Sequence, residues 1–415
     1  MREKTVLSLS YGRIIVKPAE KLHGLVPESF ETYQIVNPGD VVLRTTDLQN
    51  DHTSLRVGMV RDRGIITSAY LALRAIGGVS SEFGFQFLNV WDTSKAIYGY
   101  GSGLRQNLDF SHFKRMPVPI PPSEEQEAIV RFLNWANGRL ERAIRAKRKV
   151  IALLNEQKQA IIYRAVTRGL DPSVPLKPSG IPWLGYIPHH WTVLRNLALF
   201  SHRVEQGIPG LPVLQVSLRS GITSESLDQF GRPKRYIEDH TKYKLVRRND
   251  LAYNTMRMWQ GAVGVSPIDG LVSPAYVVIK PRAGVDPQFY EFVFRTAEYK
   301  QQANRFSTGI VSDRNRLYWE NFKQMQNVLL PFEEQQTICR FILERLRDPE
   351  RAISRLEHEI SLLREYRTRL VADVVTGKLD VRKAAARLPD TAEADISEVE
   401  EAELDPAEAD EEVVA

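Results

Sequence analysis

Asn254, Arg257, Trp259 and Gln260 sit within seven residues of one another in "NTMRMWQGAVGVS" (254–266), among small neighbours. Arg and Gln hydrogen-bond in pairs to the edges of guanine and adenine, and a flanking Trp stacks on a base or wedges between base steps. The competing reading buries Met258 and Trp259 in a core and leaves Arg257 and Gln260 as ordinary surface. A second polar stretch, "RTTDLQNDHTSLR" (44–56), carries Arg44, Gln49, Asn50, His52 and Arg56, which either face base edges or form a solvated loop. In "GYGSGLRQN" (99–107) and "STGIVSDRNR" (307–316), Arg105 with Gln106, and Arg314 with Arg316, lie near glycines. Guanidinium groups beside exposed backbone amides suit phosphate, which positions a nucleic acid without reading its sequence. The alternative is pairing to a carboxylate such as Asp313.

Chemistry by the chain itself finds weaker support. "GYGSG" precedes no strand–helix–strand unit with an acidic residue about 20 positions on, as a dinucleotide site requires. No Asn-Pro-Pro-aromatic tetrapeptide and no GxxxxGK[ST] loop occur. "EYK" (298–300), with Asp286 upstream, has nuclease-like spacing but falls on an expected helix rather than a strand edge. His189 and His190 are adjacent and lack a third metal ligand nearby. Cys339 stands beside Ile338 and near Phe341, which suits burial better than reactivity. The sequence thus points to a non-catalytic protein with no metal of its own.

The elements that must position these residues come from composition and repetition. At 415 residues and 43% hydrophobic content the chain has material for two or three domains. No apolar run is long enough to span a membrane, and the N-terminus has no signal-peptide pattern, so a cytoplasmic location is expected. A single cysteine excludes an internal disulfide. The net charge of +5 hides an asymmetry: residues 388–415 hold 12 Asp/Glu and no Lys or Arg, so residues 1–387 carry +17. The tail reads as solvated and disordered, and the body as a plausible polyanion binder.

"PPSEEQEAIVRF" (121–132) returns as "LPFEEQQTICRF" (330–341). At an offset of 209, residues 122–171 match 331–380 without a gap, with 19 identities in 50 positions. Each copy reads as a long helix. Ser123 and Gln126 have capping-box spacing, and Glu333 and Glu334 fall in the first turn of the second copy. Pro349 predicts a break near Asp348. A heptad stripe runs through Ile353, Leu356, Ile360, Leu363, Arg367, Leu370 and Val374, matched by Ile144, Lys147, Ile151, Leu154, Lys158, Ile161 and Ala165. Such a seam predicts two helices of about 30 residues wound antiparallel, each roughly 45 Å long. The alternative is a stripe that packs on its own domain.

The segments before each helix are related more weakly: "NPGDVVLR" with "RRNDLAYN", "GIITSAYLALRA" with "GLVSPAYVVIKP", and "LRQNLDFSHFKRMPVPIPP" with "DRNRLYWENFKQMQNVLLP". "AYVVIK" and "MPVPI" read as strands, and "PQFYEFVFRTAEYKQQANRF" (287–306) as one amphipathic helix. In "GIPWLGYIPHHW" (180–191), Trp183, Tyr186 and Trp191 are expected to pack against the second globe. The fold class is therefore α+β: two tandem globes, each followed by a long helix, the two helices pairing as an antiparallel coiled coil. The divisions are 1–120, 121–178, 179–330, 331–382 and an acidic tail at 383–415.

Tandem variable globes, each followed by a helix opening in "P…EEQ…I…F" and ending in "G(K)LD", resemble the specificity subunit of type I restriction–modification systems. "GIPWLGYIPHHW" and "MRMWQGAVGVSPIDGLVSPAY" (256–276) add to the resemblance, which spans about Val6 to Arg382. It implies that each globe is a target-recognition domain reading half of a split site in double-stranded DNA. It also implies docking of methylation subunits, two of them, and of restriction subunits through the helices. ATP, magnesium and S-adenosylmethionine would then belong to those partners and none to this chain. Half-site centres one helical turn apart, about 34 Å, suit a spacer of this length, and unlike globes imply an asymmetric site. One departure stands out: "TVLSLS" (5–10) aligns with "PVLQVS" (212–217), so residues 180–212 have no counterpart before the first globe. From this the natural start is expected upstream of Met1, or the first globe is truncated and its half-site impaired. The remaining alternative is a degenerate coiled-coil scaffold without intact DNA specificity.

Overall fold

The structure is a computed structural model of the chain. It describes residues 3, 5–17, 32–46, 55–99, 110–218, 221–223, 242–309 and 315–389. These form two compact units, residues 1–149 with 356–415, and residues 150–355.

In the first unit the strand Val41–Arg44 lies between Val57–Met59 and Tyr70–Leu73, all antiparallel. Gln34–Val36 pairs with Gly64–Ile66, and Leu7–Ser10 forms a hairpin with Arg13–Val16. The helix Ser81–Thr93 packs on this sheet and is capped by Ser80, whose Oγ accepts from the Phe83 amide. The second unit repeats the arrangement: Leu251–Asn254 lies between Val263–Val265 and Tyr276–Pro281, and the helix Pro287–Phe294 is capped by Asp286. Even the register is shared. Val41 opposes Met59 and Leu73, and Leu251 opposes Val265 and Ile279.

The sequence explains why. "NPGD" and "RRND" make the same turn, with Gly39 at φ +87° and Asn249 at φ +69°, the left-handed region that Gly and Asn tolerate best. The Asp carboxylate closes each turn by accepting from the Asn37 amide (2.8 Å) or the Arg247 amide (2.9 Å). Val6 bridges Ile65 as Val213 bridges Leu271, so "TVLSLS" and "PVLQVS" occupy equivalent places. Glycine suits the place beside each bridge: a Cβ on Gly64 would lie 2.6 Å from the Thr5 carbonyl oxygen, and one on Gly270 3.0 Å from the Pro212 carbonyl oxygen.

The second unit adds two strands drawn from the unmatched segment. Phe200–Arg203 joins the edge of Tyr276–Pro281, making four strands, and Thr192–Arg195 pairs with Gln326–Leu329. "MPVPI" therefore corrects the expectation of a strand. It forms no strand and is unpaired among the described residues: Pro117 and Pro119 lack amide donors, and the strand that pairs with its counterpart comes from the added segment.

The long helices are Ser123–Arg168 and Phe332–Val375, of 46 and 44 residues. The expected break at Pro349 does not occur. Ile342 and Leu346 are buried in the core just before it, and Glu350 just after it accepts from Lys158 of the first helix at 2.9 Å. Packing on both sides offsets the roughly 3 kcal/mol a mid-helix proline costs. The reverse error concerns 287–306, which is two helices, Pro287–Phe294 and Ala297–Phe306, because Thr296 caps the second through its hydroxyl.

The seam lies where the heptads place it. Ile144, Ile360 and Leu370 are buried, and Ile151, Leu154, Ile161, Ile353, Leu356 and Leu363 are half-buried between exposed neighbours. Within each unit the two helical segments run antiparallel. Glu141 pairs with Arg367 and Lys147 with Glu359 in the first; Lys158 pairs with Glu350 in the second. Glu141–Arg367 and Glu350–Lys158 are the same contact made once in each copy of the repeat. None of the helices among the described residues is long and apolar enough to cross a membrane.

Candidate nucleic-acid interface

The strand Leu251–Asn254 ends in a loop that "NTMRMWQG" shapes from within. Met258 is fully buried and pins a 3-10 turn, Met258–Gln260, which Gly261 ends at φ +94°. With that anchor inside, Arg257 and Gln260 are exposed. Trp259 is half-buried and its indole N–H donates to the Met256 carbonyl at 2.9 Å. Asn254 Oδ1 accepts from the Met256 amide at 2.9 Å, stiffening the start of the loop. The four residues thus divide: Arg257 and Gln260 are presented, while Asn254 and Trp259 shape the loop that presents them.

A second segment joins this loop. Arg316 and Thr308 exchange both backbone hydrogen bonds at 3.0 Å, and the next residue, Leu317, donates to the Thr255 carbonyl at 2.9 Å. Arg316, expected to contact phosphate, is thereby brought beside Thr255 and Met256. Together with His202, Lys244, Tyr318 and Trp319 they line a cavity of about 410 Å³. These last four residues were not legible as site residues. His202 and Lys244 lie in ordinary strand sequence, and only the fold brings them to one place.

In the first unit the outcome differs. Arg56 is fully buried. Its amide donates to Asp92 Oδ2 at 2.6 Å and its guanidinium to the Thr46 carbonyl at 2.8 Å. It holds the base of the loop and is unavailable to base edges, which corrects its assignment as a DNA contact. Arg44 is half-buried at the end of its strand, its amide donating to the Arg56 carbonyl at 2.8 Å. Gln49, Asn50, His52, Arg105, Gln106 and Arg314 lie outside the described residues.

The recurring "EEQ" has a structural role that the capping-box reading missed. Gln126 is buried; its Oε1 accepts from the Ser80 amide, and its Nε2 donates to the carbonyls of Gly78 and Pro121, each at 2.8 Å. Gln335 does the same: Oε1 accepts from Asp286 N–H at 2.8 Å, and Nε2 donates to Gly284 at 2.8 Å and Leu330 at 2.9 Å. Ser80 and Asp286 are the caps of equivalent helices. The glutamine therefore ties the start of each long helix to the globe that precedes it.

Around the second copy, Glu334 accepts from the indole N–H of Trp191 at 3.1 Å and lies 2.8 Å from His190 Nε2. Trp191 is fully buried and Trp183 meets Tyr299 edge-on at 5.6 Å, as expected of both. Tyr186 is 55% exposed, against expectation, because it sits in the hairpin Leu176–Pro178/Tyr186–Pro188 facing away from that core. Cys339 is buried, and desolvation, helped by nearby Asp286 and Glu291, pushes its thiol up to about 12, so it stays protonated and inert.

No protein-family model matches the chain. It is 20% identical over 367 residues to the type I restriction enzyme MjaVIII specificity subunit of Methanocaldococcus jannaschii, covering 84% of this chain and 81% of that one. It is 22% identical over 291 residues to the putative type I restriction enzyme MjaX specificity subunit of the same organism, covering 67% and 63%. Among solved structures it superposes with a TM-score of 0.62, at 16% identity and over 85% of both chains, on a chain from a study of complex assembly and conformational transition of the type I R-M system. Fold and repeat together define a class: tandem α+β globes, each continued by a long helix, with the helices paired antiparallel. Within that class, the chain is similar to specificity subunits of type I restriction–modification systems.

Proposed function

We propose that this chain is the DNA-reading subunit of a type I complex, with each globe reading one half of a split, asymmetric site in double-stranded DNA. The observation that carries the reading is the shared frame with unshared loops. Two globes of identical strand register follow the same strand end with unlike sequences, "RTTDLQND" after Leu43 and "NTMRMWQG" after Tyr253. A common scaffold with different loops is what two readers of different bases require. In the second globe Arg257 and Gln260 read base edges while Arg316 holds phosphate; in the first, Arg44 lies at the foot of the reading loop. The paired helices set the spacing and dock two methylation subunits and the restriction subunits. The chain is non-catalytic, and ATP, magnesium and S-adenosylmethionine bind those partners.

The test is co-expression with the neighbouring methylation subunit and genome-wide mapping of methylated adenines by single-molecule sequencing. A split, asymmetric motif is expected. A stable complex that methylates nothing would overturn the reading in favour of a scaffold without DNA specificity.

A further inference from the structure

We propose that the cavity beneath the Asn254–Gln260 loop seats a backbone phosphate of the bound DNA, gripped by Lys244 and Arg316 with His202 at its floor; this rests on the reading that the second globe binds DNA. The first argument is the hydrogen-bonding character of the lining. Lys244 and Arg316 carry only donors. His202 lines the cavity with its ring, while its Nε2 is buried without a hydrogen-bond partner, so it shapes the wall and offers no acceptor that competes with an anion. The Thr255 hydroxyl already donates to the Ala275 carbonyl at 2.9 Å. A base edge presents donors and acceptors in alternation, whereas a phosphate presents acceptors alone, which the two cations suit; the Tyr318 hydroxyl can donate as well, and Glu320, the one carboxylate of the lining, only accepts.

The second argument is charge. Two cations face one carboxylate, Glu320, which is ion-paired to Lys323 and is 72% exposed. Lys244 is held half-buried, with its Nζ donating to the Tyr276 carbonyl at 2.6 Å, and burial depresses its pKa. A cation desolvated beside a cavity gains more from an incoming anion than a fully hydrated one does. His202 is likewise depressed, first by burial and then by Lys244, with Glu320 opposing, and its ring stacks on Trp319 at 5.2 Å. The stack fixes the imidazole as part of the cavity wall.

The experiment is the salt dependence of duplex-DNA binding by the full chain, wild type against three variants. Ala275→Phe fills the cavity and removes no charge; Lys244→Met and Arg316→Gln remove one cation each. Loss of one phosphate contact lowers the slope of log K against log salt by about 0.9. That drop is expected in Ala275→Phe, with a comparable or smaller one in each charge variant. The bases of the methylated motif are expected to stay the same in Ala275→Phe. A wild-type slope in Ala275→Phe, with drops only in the charge variants, would reduce the effect to general surface charge and overturn the proposal. A changed motif would overturn it too, by making the cavity a base reader. Should the wild-type chain fail to bind duplex DNA at all, the functional reading above fails rather than the cavity assignment alone.

Discussion

The two globes share a frame but not its reinforcement. In the second, Phe200–Arg203 extends the sheet to four strands and Thr192–Arg195 pairs with Gln326–Leu329 just before the long helix. In the first, the described residues give three strands at the equivalent sheet, and Ile120, in the place of half-buried Leu329, is 56% exposed. The same contrast runs through the helix start. Glu334 carries Trp191 and His190, while its counterpart Glu125 has an ion pair at 3.9 Å with Arg382. Identical register with unequal edges shows that the central strands and the glutamine tie specify the fold. The added segment thickens one globe without altering its plan.

The largest expected effect sharpens that contrast. Trp191→Ala removes a fully buried indole that meets Phe289 edge-on at 6.5 Å and donates to Glu334. Such truncations cost about 3–5 kcal/mol. Hydrogen exchange of the full chain, read peptide by peptide, is expected to show lost protection in residues 242–309 and unchanged protection in residues 55–99. Equal loss in both ranges would mean that the added segment does not act on one globe alone, and the contrast would break.

An intermediate effect tests the shared part. Gln126→Ala and Gln335→Ala each leave one half-buried amide donor and two carbonyl acceptors without this partner, at about 1 kcal/mol per hydrogen bond lost. Because both glutamines make the same three bonds, the two variants are expected to destabilise their own globes by similar amounts. Protection in peptides 55–99 and 242–309 measures this. A large loss for Gln335→Ala and none for Gln126→Ala would show that the tie matters only where the added segment supports it.

What was legible in the sequence follows from which forces are local. The heptad seam was readable because each of its positions is set by helical periodicity, and Ile144, Ile360 and Leu370 are buried as that period requires. The turn at "NPGD" announced itself through Gly and Asp. Pro349 misled because local propensity was outweighed by tertiary packing on either side, and "MPVPI" misled because a strand exists only with a partner. Arg56 was misread for a similar reason: nothing local shows that Asp92 and the Thr46 carbonyl bury it. The cavity of His202, Lys244 and Trp319 lies beyond any local rule, since its residues come from sites far apart in the chain.

The smallest effect concerns a charge that the two globes supply differently. Asp40 accepts from Arg74 at 2.8 Å, and Arg74 directly follows the strand Tyr70–Leu73 of the same sheet. The equivalent Asp250 is instead met at 2.6 Å by Arg203, which belongs to the added strand. The Arg74 hydrogen bond, more than burial opposes it, holds the Asp40 carboxyl below its ordinary range, with the Asn37 amide also contributing. A carboxyl depressed on folding contributes stability above its unfolded pKa, near 3.9, and that contribution is lost as pH falls through the folded value. The first globe is therefore expected to lose protection as pH drops below about 4. Asp40→Asn should be less stable at neutral pH and flatter with acid. Arg74 is largely exposed, so the effect is small and screened by salt. Unfolding of the full chain between pH 5 and 2.5, followed in peptides from 55–99 for wild type and Asp40→Asn, measures it. Parallel acid curves for the two proteins would show that Arg74 is an incidental neighbour. A flatter curve for the variant would show that the first globe draws from its own frame, just past Leu73, the cation that the second takes from the added segment.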